Sequence, residues 1–213
     1  MNLKKDIEEA SFLKIITTFL HNLESDTFTV GELIAALQER SFGILMLLIA
    51  IPNACLIASI PMVSIVFGLL LIFISIQIIL RYPKIILPKM IGQKAFSKKQ
   101  LEHILSVYSL RLMQIERYLK QRWTFLTTGV WEVVIGVVSL LHGILITLPI
   151  PLGNFLPGIA LLFIALGIIS RDGLFIIIGH FLSIAIFLFF YSSSIFLYNF
   201  IQHIYSYVKQ FSF

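Results

Sequence analysis

From Phe42 to Leu80 the chain runs through thirty-nine consecutive positions without a charged residue. Such a run is foreign to a soluble domain, where charges make up about a quarter of the residues. In a bilayer its length has a meaning, because about 20 apolar residues cross the hydrocarbon core once. The run is too long for one span and just long enough for two. Pro52-Asn53 and Pro61 divide it, since proline removes a backbone donor and disturbs helix geometry. Two geometries are open: a full hairpin turning between Ala54 and Pro61, or a re-entrant one in which 42–60 dips in and out, broken at Pro52. In the re-entrant case Asn53, with two donors and an acceptor, needs partners at depth.

A second broken apolar segment follows about a hundred residues later, LPIPLGNFLPGIALLFIALGIISRDG from Leu148 to Gly173. It holds Pro149, Pro151, Asn154 and Pro157 and closes on Arg171-Asp172-Gly173. Broken backbone at membrane depth is tolerated only where protein or a water-filled cavity satisfies the freed polar groups. When the interruption recurs in both halves of a chain, it points to a site. Aligning Pro61 with Pro157 sets Phe67 on Phe163 and Leu70 on Leu166, and brings Arg81 and Arg171 within about a turn of each other. The expected fold class is therefore an all-α, polytopic integral membrane protein with an internal repeat of Pro/Asn-broken helical hairpins, re-entrant or full-span.

Composition agrees. Hydrophobic residues make up 58% of the 213, charged ones 13%, and the mean hydropathy is +0.96, which leaves room for roughly four to six spans. The N-terminus, MNLKKDIEEASF, has mixed charge and no apolar core at once behind it, so it does not read as a secretory signal. The single cysteine, Cys55, excludes an intramolecular disulfide and a thiol metal site; in its apolar run it reads as a small buried hydrophobe.

Five regions follow in order. Residues 1–41 place Ile7, Phe12, Ile15, Ile16, Phe19, Leu20 and Leu23 at helical spacing, an amphipathic helix at the membrane surface or docked on the bundle. Thr29 with Glu32 three residues on is a capping-box pattern, predicting a second helix from Gly31 to Arg40. Residues 42–80 form the first membrane repeat. Residues 81–122 hold ten Lys or Arg against Glu102 and Glu116, a cytoplasmic loop by the positive-inside rule. Within it, Leu101, Ile104, Leu105, Tyr108, Leu112, Ile115 and Leu119 predict an amphipathic helix against the headgroups, with a solvated topogenic linker as the alternative. Both ends of 42–80 return to one side, so the N-terminus is expected in the cytoplasm with this loop. Residues 123–197 contain the second repeat and a following span, Gly173 to Leu197. Pro157 to Ser170, fourteen residues, is short for a span and suits one arm of a re-entrant hairpin. Residues 198–213 carry Tyr198, Phe200, Tyr205, Tyr207, Phe211 and Phe213 around Lys209, an interfacial aromatic anchor.

The net charge of +5 raises nucleic acid as a partner, but no recognition module flanks the basic loop, and none is expected. An ionisable group inside a span is a functional hypothesis by default. Glu132 is one, although it lies near enough to the segment start to reach the interface; His142 reads as a packing residue. No clustered metal-ligand set, no Gly-x-Ser-x-Gly turn and no phosphate-binding glycine loop is present, so neither an enzyme nor a cofactor is expected.

The chain resembles the ExoD-type exopolysaccharide synthesis proteins of bacterial membranes from about Gly31 to Phe190. The resemblance rests chiefly on Pro149-x-Pro151-x-x-Asn154-x-x-Pro157 and Ala165-Leu166-Gly167-x-x-x-Arg171-Asp172-Gly173. Glu39-Arg40-Ser41-Phe42-Gly43, Pro61 with Gly68, Gln77, Leu87-Pro88, Ile115-Glu116-Arg117 and Arg122-Trp123 add to it. Lys120-Gln121 stands where a proline is usual shortly before the arginine, and Ile86 where an aromatic is usual before the Leu-Pro pair. The resemblance implies a multi-pass inner-membrane protein associated with exopolysaccharide production and, in some members, with tolerance of alkaline conditions.

Three functions compete. Transport or flipping of an anionic lipid-linked intermediate would use Asn53, Asn154, Arg171, Asp172, Glu132, Gln77 and Arg81 as substrate or proton contacts, with Asn53, Asn154, Arg171 and Asp172 on one polar cavity. A scaffold for polysaccharide synthesis machinery would use the basic loop and small-residue faces. A cation/proton exchanger would depend on Glu132. Membrane lipids are expected partners in every case, Arg171-Asp172 as a mere turn capping the next helix is the bland alternative, and oligomeric state is left open.

Overall fold

The computed structural model describes residues 12–55, 61–103, 105–107, 118–148 and 153–211. Among these, the apolar bundle consists of α3 (Arg40–Ala54), α4 (Pro61–Ile79), α6 (Val130–Thr147), α7 (Phe155–Ser170) and α8 (Gly173–Phe211). Ahead of and between them lie α1 (Phe12–His21), α2 (Val30–Leu37), α5 (Lys89–Gly92) and two short strands, β1 (Thr27–Thr29) and β2 (Ala95–Ser97). Two helices, Val130–Thr147 and Gly173–Tyr207, are long and apolar enough to cross a membrane; a third span arises if α2 and α3, bent by 117°, count as one. Val63–Ile79 and Phe155–Ser170 are apolar but shorter. A 16-residue helix rises about 24 Å, against about 30 Å of hydrocarbon.

The prolines sit differently from their expected role as breaks. Pro52 lies inside α3, two residues from its end. Pro157 lies in the first turn of α7, which already begins at Phe155. There its missing N–H removes nothing, because first-turn amides have no intrahelical partner. Pro61 is the first residue of α4, where its fixed φ favours initiation. Pro149 and Pro151 fall outside the described residues, as does the chain from 56 to 60. The expected aromatic tail is no separate element, for α8 continues unbroken to Phe211.

The helices pair by close approach at glycines. α3 runs antiparallel to α7: a Cβ on Gly43 would meet Ile168 and Ile169, and one on Gly158 would lie 2.5 Å from the amide nitrogen of Ala54. α4 runs antiparallel to α6, with Gly68 against Thr147 and Gly143, and Gly136 against Ile78 and Ile79. α8 packs on α7, with Gly167 against Ile176 and Gly179 against Ile164. Between these pairs lie Met46, Leu71, Ile135, Ile146, Leu161 and Ile164, all essentially without exposure. The bundle therefore has two distinct ends. One, the charged end, collects the starts of α3, α6 and α8 and the finishes of α4 and α7. The other, the loop end, collects the finishes of α3 and α6 and the starts of α4 and α7.

At the charged end the N-terminal segment and the basic loop are joined. β1 pairs antiparallel with β2, Phe28 opposite Phe96, and Lys98 Nζ donates to the carbonyl of Leu23 at 3.1 Å. This strand pair is a departure from an all-helical chain. Residues 98–103 and 105–107 are helical, and Leu101 and Leu105 pack with Ile15, Ile16, Leu20 and Leu37. The loop helix thus docks on protein; its continuation through 108–117 lies outside the described residues. The capping box is present: the Thr29 amide donates to Glu32 Oε2 (2.7 Å) and the Glu32 amide to Thr29 Oγ1 (3.2 Å). Thr29→Ala is expected to cost about 1 kcal/mol, read as a lower melting midpoint of the detergent-purified protein, with Thr29→Ser near the original value.

Candidate functional site

Two helix ends at the charged end share one construction. Where α4 stops, the amide of Tyr82 donates to the carbonyl of Gln77 (3.1 Å) and that of Arg81 to Ile78 (2.9 Å). Where α7 stops, the amide of Asp172 donates to Gly167 (2.9 Å) and that of Arg171 to Ile168 (3.4 Å). Both are Schellman motifs, whose left-handed position usually holds glycine. Here arginines occupy it, Arg81 at φ 56° and Arg171 at φ 53°, at a conformational cost of roughly 1–2 kcal/mol each. Arg171 uses its place: Nη2 donates to Glu39 Oε2 at 2.9 Å, and its side chain is only 17% exposed.

Asp172 is fully buried. Its Oδ1 accepts from the Leu174 amide at 3.0 Å, capping α8, and its Oδ2 accepts from the Lys120 amide at 3.0 Å. Arg122 Nε reaches both oxygens, at 2.9 and 3.2 Å, and the Gly173 amide donates to the Arg122 carbonyl at 2.8 Å. The adjacent Arg171 and Asp172 thus bind different partners. Gln77 is likewise structural: its Oε1 accepts from the Ile86 amide at 2.7 Å and its Nε2 donates to the Ile86 carbonyl at 3.4 Å. Glu132 falls in the first turn of α6. Together with Glu39 it lines a cavity of about 20 Å³, with Phe42, Ile135, Ile78 and Ile168 around it.

At the loop end the two asparagines come together. Asn53 and Asn154 are 1% and 5% exposed, and Gly158, one turn beyond Asn154, packs directly on the backbone and Cβ of Asn53. Asn154 Nδ2 donates to Ser64 Oγ at 2.7 Å, and Asn53 Nδ2 to the Ile49 carbonyl at 2.7 Å. The Oδ1 atoms of both asparagines are buried without a hydrogen-bond partner. An unmet acceptor in such surroundings costs about 1–3 kcal/mol.

The expectation of one cavity shared by Asn53, Asn154, Arg171 and Asp172 is therefore corrected. α7 stands between Asn154 and Arg171, a rise of about 24 Å, and each pair serves its own end. Of the partners that link the helices, Ser64 was not marked by the sequence, and Glu39 stood only within the Glu39-Arg40-Ser41-Phe42-Gly43 stretch of the resemblance. Glu39 carried one further signal, the last acid before the uncharged run; a serine within a span carries none.

Over residues 12–192 the chain matches the family described as "Exopolysaccharide synthesis, ExoD". It is also 35% identical over 182 residues to Protein ExoD of Rhizobium meliloti (strain 1021), covering 83% of this chain and 75% of that protein. No solved structure matches it.

Proposed function

Taking as premise that the chain belongs to the ExoD family of exopolysaccharide synthesis, we propose that it transports an anionic lipid-linked intermediate of that synthesis by opening the seam between two helical hairpins, first at one end and then at the other. The observation that carries this reading is how the seam is closed. Each end is held by a polar contact between hairpins, Glu39–Arg171 at the charged end and Ser64–Asn154 at the loop end. Between them the contact is glycine and isoleucine. A seam latched at both ends and dry between them has the form of an occluded state.

The two hairpins, α3–α4 and α6–α7, read as an internal repeat of the same direction. Setting Arg171 on Arg81, rather than Pro157 on Pro61, also sets Gly158 on Gly68, Leu161 on Leu71 and Asn154 on Ser64. In the first helices Gly136 answers Gly43, each against a pair of isoleucines, and Thr147 answers Ala54, each against a glycine. Glu132 then answers Glu39, which gives that acid a place at the latch. The pseudo-axis runs along the bundle, a relation known among transporters with parallel repeats.

The substrate chemistry follows from the loop end. The N-termini of α4 and α7 meet there, and helix N-termini favour negative charge. The two unmet asparagine oxygens want donors, which sugar hydroxyls supply. A glycosyl phosphate on a lipid carries both. No catalytic residue or cofactor is needed. On this reading the charged end lies in the cytoplasm of a multi-pass inner-membrane protein, which the surplus of basic residues in 81–122 supports, with lipids around it and the polysaccharide synthesis machinery as its source or sink.

Cross-linking tests the reading in cells lacking their own copy, on a Cys55→Ala background. Ser64→Cys with Asn154→Cys is to be closed by oxidation, and Glu39→Cys with Arg171→Cys by a short bifunctional thiol reagent. Each closure is expected to lower exopolysaccharide at least about tenfold, with recovery when the link is cleaved. Normal production with both ends locked would make the bundle a static scaffold.

A further inference from the structure

The charged end of the bundle is built twice, and the two halves are not closed alike. In the register that sets Arg171 on Arg81 and Glu132 on Glu39, the Glu39–Arg171 ion pair has a counterpart, Glu132 with Arg81. The backbone prepares both equally. Glu39 stands one turn before Gly43, which faces Ile168 and Ile169, and Arg171 follows two residues after Ile169. Glu132 stands one turn before Gly136, which faces Ile78 and Ile79, and Arg81 follows two residues after Ile79.

Only the first pair is closed. Arg171 Nη2 lies 2.9 Å from Glu39 Oε2. Arg81 is exposed and interacts with Glu132 electrostatically, but its side chain makes no hydrogen bond or ion pair among the described residues. Glu132 instead lines the cavity of about 20 Å³ that it shares with Glu39. A left-handed arginine carries strain that glycine would avoid. At Arg171 the bond to Glu39 accounts for it. At Arg81 no bond within the protein offsets it, and strain of that kind is kept where function needs it.

Resting on the transport reading, we infer that Arg81 holds the phosphate of the amphiphilic substrate at the charged end, and that Glu132 takes the guanidinium back when the phosphate leaves. A guanidinium presents a planar fork of donors that matches phosphate oxygens. Leu80 and Tyr82, beside it in the chain, are 61% and 37% exposed, so apolar surface for a lipid chain adjoins the cation. An Arg81–Glu132 pair closed like its counterpart would neutralise that cation before the substrate arrived.

The purified full chain in detergent is to be titrated by calorimetry with farnesyl phosphate, and in separate arms with farnesol and with inorganic phosphate. Farnesyl phosphate is expected to bind once per chain, farnesol and inorganic phosphate at least about tenfold more weakly, since one lacks the charged hydrogen bonds and the other the apolar burial. Arg81→Gly should weaken farnesyl phosphate binding at least about tenfold and melt no lower than the unaltered protein, because glycine suits the φ of 56° there. Arg81→Lys should restore part of the affinity, and Glu132→Gln, which removes the competing carboxylate, should raise it. Unchanged binding in Arg81→Gly overturns the assignment, as does a melting loss in that variant that accompanies the loss of binding. Inorganic phosphate binding as tightly as farnesyl phosphate overturns the lipid source. The transport reading fails by a different result: normal exopolysaccharide from the doubly locked bundle would sink it while phosphate binding at Arg81 stood.

Discussion

Asp172→Ala is expected to destabilise the fold by about 2–4 kcal/mol, chiefly from the backbone amides it leaves unmet, because the Arg122 side chain is 38% exposed and can turn to water. The carboxylate is fully buried and holds three chain segments at once: the start of α8 through the Leu174 amide, the end of the basic loop through the Lys120 amide, and Arg122. Alanine leaves two amides unmet and removes an N-cap, itself worth about 1 kcal/mol. Asp172→Asn keeps an acceptor for the cap and is expected to lose about half as much. The check is thermal unfolding of the purified protein in detergent, with limited proteolysis in the 118–123 region as local readout. If alanine and asparagine lose equally, the acceptor that asparagine keeps contributes nothing and the account of this end as a capped helix start is wrong.

The second large effect concerns the glycine contacts. In Gly158→Leu the Cβ alone would lie 2.5 Å from the Ala54 nitrogen and 2.8 Å from the Asn53 carbonyl carbon. Both are backbone atoms that cannot rotate away, so α3 and α7 must separate. Overpacking costs about 1–3 kcal/mol or more, and a leucine should reach the upper part of that range. It also parts Asn53 from the first turns of α7, so on the proposed function exopolysaccharide production should fall even where the protein persists in the membrane. Gly92→Ala is the control: nothing lies within 4 Å of its Cβ, and a change within about 0.5 kcal/mol is expected. Equal melting losses for the two variants would contradict the packing described here.

Membrane character, the Thr29–Glu32 cap and the meeting of the N-terminal segment with the basic loop were all legible in the residues. Each depends on a local signal: hydropathy over a window, a spacing of three, a surplus of one charge. The prolines misled because a proline's effect depends on its place in the helix. Within the first turn of α7 it costs nothing, and the same residue two turns later would have ended the helix. Prolines mark where a helix is permitted to start, whereas Arg81 and Arg171 mark where α4 and α7 are made to stop.

Partnership was beyond the sequence altogether. Arg171 and Asp172 are neighbours in the chain, yet they point to Glu39 and Arg122. Asn154 finds its partner ninety positions away, in Ser64. His142 and Ser183 come from helices separated by all of α7. The sequence by itself determined that the chain carries long apolar helices fit for a bilayer and that its basic charge gathers in one segment, because these follow from transfer energies and composition that each segment carries alone. Only the tertiary structure decided that there are two polar ends instead of one cavity, since which side chains meet depends on helix direction and on the close approach that Gly43, Gly68, Gly136 and Gly158 allow.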